Sequence, residues 1–283
     1  MSNLLCTERE YKDTYKQIKK ILLDSKNREN YPSAAIVGGQ PGSGKSVLSR
    51  YIQSQDPNTI IIDGDAIRAY HPHLNELEKE YGTDYPKVTQ PFVNKAVEQL
   101  IGELSKEKYN LIIEGTLRDI NVPLKTAREL EEKDYLVELY IVATSKEQSW
   151  QSTLDRGREL EEEGKMPRYV DKEHHDKVVN SLPTTVEELA NSDVFYNVII
   201  MRRDQTILYD RDETPDLNPK DIMEMVLDGE PVKTVHEIEA NRERDDNKID
   251  LSEQINHARA EIERESFENN RGRIKSREDR DER

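Results

Sequence analysis

The segment Gly39-Gln40-Pro41-Gly42-Ser43-Gly44-Lys45-Ser46 carries the spacing G-x-x-x-x-G-K-[ST] in full. Each residue type has a task in holding phosphate. Glycines let backbone N–H groups turn toward the anion, and a helix starting near Lys45 adds partial positive charge. The Lys45 ammonium reaches the transferred phosphate, and the Ser46 hydroxyl can hold Mg²⁺. The segment overlaps the end of the apolar run AAIVGG and leads into a helix continued by Val47, Leu48 and Tyr51. A nucleotide held there can be a phosphoryl donor, a fuel or a switch, and the loop does not choose among them.

Other polar residues narrow the choice. The run IIIDGDAIRAYHP ends in Asp63-Gly64-Asp65. In an open α/β sheet the carboxyl ends of strands face the ligand crevice. Asp65 there is a candidate base for an acceptor hydroxyl. The plainer alternative is that Asp63 or Asp65 caps the following helix. Glu114, in LIIEGTLRD, stands where phosphate-loop enzymes keep an acid near the metal-bound water, and Thr116 and Arg118 follow it. A guanine-reading N-K-x-D stretch is absent, since NPKD at Asn218 has the wrong order, which weakens the switch reading. Arg156 and Arg168, in an acidic helical stretch broken by Gly157, Gly164 and Pro167, are candidates for a mobile segment that stabilises charge in flight. Solvated pairs with neighbouring glutamates are the alternative. His71, His73, His174 and His175 lack a metal-site spacing and read as structural, and Trp150 reads as packing.

These residues need a frame. Tyr11, Tyr15, Ile18 and either Ile21 or Leu22 fall at helical spacing near the N-terminus. Five short apolar runs follow, at 34–39, 59–63, 110–115, 136–143 and 197–201, with amphipathic stretches between them. That pattern predicts a parallel sheet with helices on both faces, an α/β fold. Val93, Ala96, Val97, Leu100, Ile101 and Leu104 share one helical face, which leaves Glu98 off it, pointing to the cleft or to water, with water favoured on pattern alone. From Pro231 the composition turns almost wholly charged. Leu251, Ile255, Ala258 and Ile262 still form a narrow stripe, although a solvated helix fraying into a disordered tail is the simpler reading. The expected organisation is an N-terminal helix (1–32), an α/β phosphate-loop domain (33–230) and a charged helical or disordered tail (231–283).

The chain has 283 residues and a formal charge of -16, which argues against nonspecific binding to nucleic acid or an anionic membrane. Cys6 is the single cysteine, so no intrachain disulfide forms. No apolar run approaches the roughly 20 residues of a membrane span. A cytoplasmic location is the expectation.

Taken in order, GGQPGSGK, IIDGDAIRAYHPHLNELEKEYG, YNLIIEGTLRDINVPLKTA and KEHHDKVVNSLP resemble the zeta toxin family, the toxin half of epsilon/zeta-type toxin–antitoxin systems. The similarity runs from about residue 32 to 210. The resemblance implies a phosphate-loop kinase fold. It further implies transfer of phosphate from ATP, with Mg²⁺, to the 3'-hydroxyl of the amino sugar of UDP-N-acetylglucosamine, which blocks peptidoglycan precursor use. It carries over Lys45 as the phosphate lysine and Asp65 as the base. Glu98, Thr116 and Arg118 become groups around the UDP-sugar, and Arg156, or else Arg158, joins Arg168 over the phosphates. It also implies a small helical antitoxin that occludes the nucleotide site. Two other readings remain at this point: another small-molecule phosphotransferase, such as an antibiotic-modifying one, and a non-catalytic nucleotide-binding interaction protein.

Overall fold

The computed structural model describes residues 4–240. The chain divides into two compact units, Met1–Val235 and His236–Arg283. Of the second, residues 236–240 are described and helical. The stripe at Leu251, Ile255, Ala258 and Ile262 lies outside the described residues.

In chain order the first unit contains α1 (Glu8–Leu22), β1 (Ser33–Gly38), α2 (Lys45–Gln55), β2 (Ile60–Ile62), α3 (Gly64–Arg68), α4 (Leu74–Tyr81) and α5 (Tyr85–Lys106). It continues with β3 (Leu111–Glu114), α6 (Asn121–Glu131), β4 (Leu136–Val142), α7 (Lys146–Glu162), α8 (Lys172–Ala190), β5 (Asn197–Met201), β6 (Ile207–Asp210) and α9 (Pro219–Leu227). The five apolar runs are the five parallel strands, and the sheet order is β2-β3-β1-β4-β5-β6. The sixth strand escaped the sequence reading. It is a four-residue edge strand running antiparallel to β5, with a register shift at Ile200/Met201.

Alternation along β1 sorts the two faces. Ala34 and Ile36 join the larger core with residues of α1, α5, α6, α8 and α9, while Ala35 and Val37 join Leu48 of α2 in a smaller one. On α1, Tyr11, Tyr15 and Ile18 are buried as their spacing requires. Leu22 completes that face, and Ile21 is 48% exposed. Lys19 fixes α1 to α5 by donating to Glu103 at 2.9 Å and Glu107 at 2.8 Å. On α5, Val93, Ala96, Leu100, Ile101 and Leu104 are buried and Val97 packs partly buried against them.

Register explains how the acids meet the phosphate loop. Ile62 pairs with Ile113, and Ile113 with Ile36, so the next row along brings Asp63, Glu114 and Val37 to the same sheet edge. The loop leaves β1 one residue later.

Gly157 does not break its helix, contrary to the sequence expectation: α7 runs unbroken through it. Its lack of a side chain has another use. A Cβ there would lie 2.2 Å from the Tyr169 ring, so Tyr169 rests on the bare turn of α7.

Candidate active site

Helix α2 begins at Lys45, with Gly44 at its N-cap in a left-handed conformation (φ 103°) and no side chain capping it. The N–H groups of Lys45 and Ser46 are therefore open to an anion, whereas Val47 N–H donates to Gly44 O at 3.0 Å. The Lys45 ammonium donates to the Gly39 carbonyl at 2.9 Å and the Gln40 carbonyl at 3.1 Å. Burial pulls it down to about 8, opposed by the charges of Glu114, Asp65 and Asp63. The loop is braced from behind. The Gln40 amide donates to Thr144 O at 2.7 Å, and the Thr144 hydroxyl donates to Ser43 O at 2.8 Å.

A further brace went unseen in the sequence. Arg203, in the turn after β5, donates through Nε to Ser43 O at 2.8 Å and through its terminal nitrogen to Gly42 O and to Ser152 Oγ, the latter at 3.0 Å. With its carbonyls tied to this guanidinium, the loop can turn its N–H groups to the opposite side. Nothing in the run MRRDQT signals this; only the fold brings residue 203 to residue 43.

The Ser46 hydroxyl donates to Glu114 Oε2 at 3.1 Å. Burial, and then Asp63, push the Glu114 carboxyl above its ordinary range. The Ser49 hydroxyl also lies against the Glu114 carboxyl and opposes that rise, while Gln40 Oε1 and Ser43 Oγ around the same loop are buried without a partner. Buried polar atoms are almost always satisfied in native proteins. Such a cluster fits a hard cation and phosphate oxygens. Among the described residues no group of three or more His, Cys, Asp or Glu could hold a metal by itself. The oxygens here that could serve a cation are the Ser46 hydroxyl and the Glu114 carboxylate, a hard oxygen set of the kind Mg²⁺ takes together with waters and phosphate.

The cap question resolves cleanly. Asp63 is the N-cap of α3 and accepts from Asp65 N at 2.8 Å, which leaves the Asp65 carboxylate for other work. That carboxylate faces three arginines. Arg156 lies 3.0 Å from Oδ2, Arg168 lies 3.0 Å from Oδ1, and Arg68 Nε lies 3.8 Å from Oδ1. Burial raises its affinity for a proton, but Arg168, Arg156 and Arg68 together hold it below the usual carboxylate range.

Of Arg156 and Arg158, it is Arg156 that reaches Asp65. Two residues along a helix differ by about 200°, so they do not share a face. Arg158 points away and pairs with Asp155 at 3.1 Å. Arg168 comes from the segment joining α7 to α8. That segment is fixed at its far end by Asp171, which caps α8 through the N–H groups of Glu173 and His174, and at Tyr169 by its seat on Gly157.

The remaining sequence candidates lie apart from this cluster. Thr116 and Arg118 are exposed in the loop after β3. Arg118 lines a cavity of about 420 Å³ with Asp119, Ile120, His174, Lys177 and Thr185. Glu98 is exposed on α5 and makes no hydrogen bond or ion pair among the described residues. Two histidines have structural partners. His71 is buried with Nε2 2.9 Å from Leu4 O, and His175 is buried with Nε2 3.1 Å from Ser149 Oγ and its ring against Trp150. Asn218, in the NPKD stretch, caps α9.

A model of the Zeta toxin family matches residues 18–214. The chain belongs to the zeta toxin family. Among its relatives, Toxin PezT of Streptococcus pneumoniae is 39% identical over 226 residues, 79% of this chain and 89% of that protein. Toxin zeta of Streptococcus pyogenes is 35% identical over 230 residues, 80% of each protein. A solved structure from the PezAT chromosomal toxin–antitoxin system of Streptococcus pneumoniae superposes with a TM-score of 0.72 at 33% identity, over 88% of this chain and 100% of that one. The fold is thus the kinase-like α/β fold of zeta toxins. No helix among the described residues is long and apolar enough to cross a membrane.

Proposed function

We propose that the protein is a toxin kinase that transfers the γ-phosphate of ATP to the 3'-hydroxyl of the amino sugar of UDP-N-acetylglucosamine. The observation that carries the reading is Asp65: a carboxylate free of capping duty, at the strand edge beside the phosphate loop, clasped by Arg156 and Arg168. A carboxylate so placed, facing the lysine of the phosphate loop, is in position to take the proton of an acceptor hydroxyl.

In this reading the loop N–H groups and Lys45 hold the donor phosphates, with Gly39, Gln40, Pro41, Gly42, Ser43, Gly44 and Ser46 shaping the cradle. Ser46, and Glu114 directly or through water, would hold Mg²⁺, which would neutralise phosphate charge when bound. The sugar oxygen attacks the γ-phosphorus, the bond from that phosphorus to the bridging oxygen of ADP breaks, and the hydroxyl proton passes to Asp65. Proton transfer comes late in a loose transition state, so positioning and charge supply most of the acceleration. Arg156 and Arg168 turn from Asp65 to the phosphoryl oxygens, where negative charge is spread. Thr116, Arg118 and Glu98 serve the UDP-sugar. Lys177, beside Arg118 in the same cavity, supports an anionic ligand on that side.

The resemblance to a protein from a toxin–antitoxin system supports a small antitoxin that silences this chain by occluding the nucleotide site. The phosphorylated sugar nucleotide would be withdrawn from peptidoglycan synthesis, in the cytoplasm where its precursors are made. The test is mass spectrometry of UDP-N-acetylglucosamine after incubation with ATP and the wild-type, Lys45→Ala or Asp65→Asn protein. Wild type adds one phosphate and neither variant does. Product from Asp65→Asn at the wild-type rate refutes the role of Asp65, and phosphorylation of a different acceptor class only refutes the substrate.

A further inference from the structure

Arg68 is 5% exposed, yet nothing in the proposed chemistry uses it. Its guanidinium is anchored by three hydrogen bonds through its two terminal nitrogens. One terminal nitrogen donates to Pro86 O at 2.7 Å and Thr89 Oγ1 at 2.6 Å, and the other to Gln90 Oε1 at 2.8 Å. Its Nε has no hydrogen-bond partner and is buried. That nitrogen lies 3.8 Å from Asp65 Oδ1, just beyond hydrogen-bond length.

The three arginines around Asp65 differ in freedom. Arg156 is 53% exposed on α7 and Arg168 comes from a connecting segment, so both can leave for a phosphate. Arg68 cannot leave, because α5 holds its other nitrogens. Once the two lid arginines turn away, Asp65 would face Lys45 from α2, Asp63 from its own cap, Tyr85 from α5 and the fixed Arg68. A carboxylate in such a place needs a cation that stays.

We propose that Arg68 is the positioning residue of Asp65, the one guanidinium that remains beside the carboxylate during transfer and closes its unpaired Nε onto Oδ1 when the lid arginines depart. The inference rests on Asp65 being the base. By staying, Arg68 fixes which carboxylate oxygen is turned to the acceptor hydroxyl, Oδ2, and keeps the group ionised while the phosphates are clasped. It touches neither substrate.

The experiment compares Arg68→Gln, which keeps a donor but no charge, with Arg68→Lys, which keeps a charge, in the full chain. We expect Arg68→Gln to lower kcat by about tenfold, with KM for ATP within about twofold of wild type. It should also move the acid limb of the kcat profile to higher pH, because a cation near the carboxylate is lost. Arg68→Lys should recover most of both. A merely structural role predicts that the two variants fail alike and leave the limb in place, and that result overturns the proposal. Thr89→Val provides an independent arm: it loosens an anchor without removing charge, so Tm falls and the limb stays. A limb shifted in Thr89→Val also overturns it. Asp65→Asn, run alongside, separates the two ideas. An active Asp65→Asn ends the base assignment itself, whereas an inactive Asp65→Asn with a wild-type Arg68→Gln ends only the role of Arg68.

Discussion

Raising the pH from 7 to 9 should weaken nucleotide binding through Lys45. Its ammonium is drawn down to about 8 by burial. One unit either side of that midpoint, about nine-tenths of free molecules carry the charge at pH 7 and about one-tenth at pH 9. The sign follows from linkage: a bound triphosphate favours the charged form, so the complex keeps the proton that the free protein loses. The apparent affinity for a non-hydrolysable ATP analogue should therefore fall about tenfold over this range, or ~1.4 kcal/mol, with close to one proton taken up per binding event at pH 9. Titration calorimetry in two buffers of different ionisation heat measures both quantities. Lys45→Arg, whose guanidinium stays charged, removes the proton uptake. A flat affinity with no proton uptake in the wild type, or an unchanged slope in Lys45→Arg, refutes the reasoning.

Four further outcomes follow from the same geometry. Asp65→Asn should cut phosphoryl transfer by roughly 10²–10⁴, the range for losing a general base, while a fluorescent ATP analogue still binds. The wild-type kcat/KM, which reports the free protein, should hold as pH falls through the ordinary carboxylate range and fail only below it, since Arg168, Arg156 and Arg68 hold Asp65 low before the phosphates bind. Gly157→Val should drive the Tyr169 ring off α7 and carry Arg168 with it, lowering the single-turnover rate by about tenfold while Tm changes little, because Tyr169 is exposed. Arg203→Met should raise KM for ATP about tenfold at nearly constant kcat, because the loop loses its braces at Gly42 and Ser43.

What could be read in the sequence was whatever depended on local pattern. The five parallel strands are runs of Val, Ile and Leu buried on both faces, and that chemistry is visible without a partner. The phosphate loop is visible for the same reason, since its function is carried by one continuous segment. β6 was not legible because a four-residue edge strand needs only one neighbour and carries little pattern of its own. Whether Asp63 or Asp65 caps α3 turned on one backbone geometry, and the choice of Arg156 over Arg158 turned on the phase of α7. Arg68 and Arg203 were missed for a different reason. Each acts on backbone or side-chain atoms contributed by another element, across 18 to 22 residues for Arg68 on α5 and 160 or more for Arg203 on the loop. No spacing rule reaches that far.

The most direct test of the central claim is phosphorus NMR of UDP-N-acetylglucosamine incubated with the full chain, ATP and Mg²⁺. The account predicts a new phosphomonoester resonance growing in step with ADP, coupled to the proton on C3 of the amino sugar, and absent with Asp65→Asn. ADP formed without a sugar phosphate, or an unchanged spectrum from active, folded protein, contradicts it.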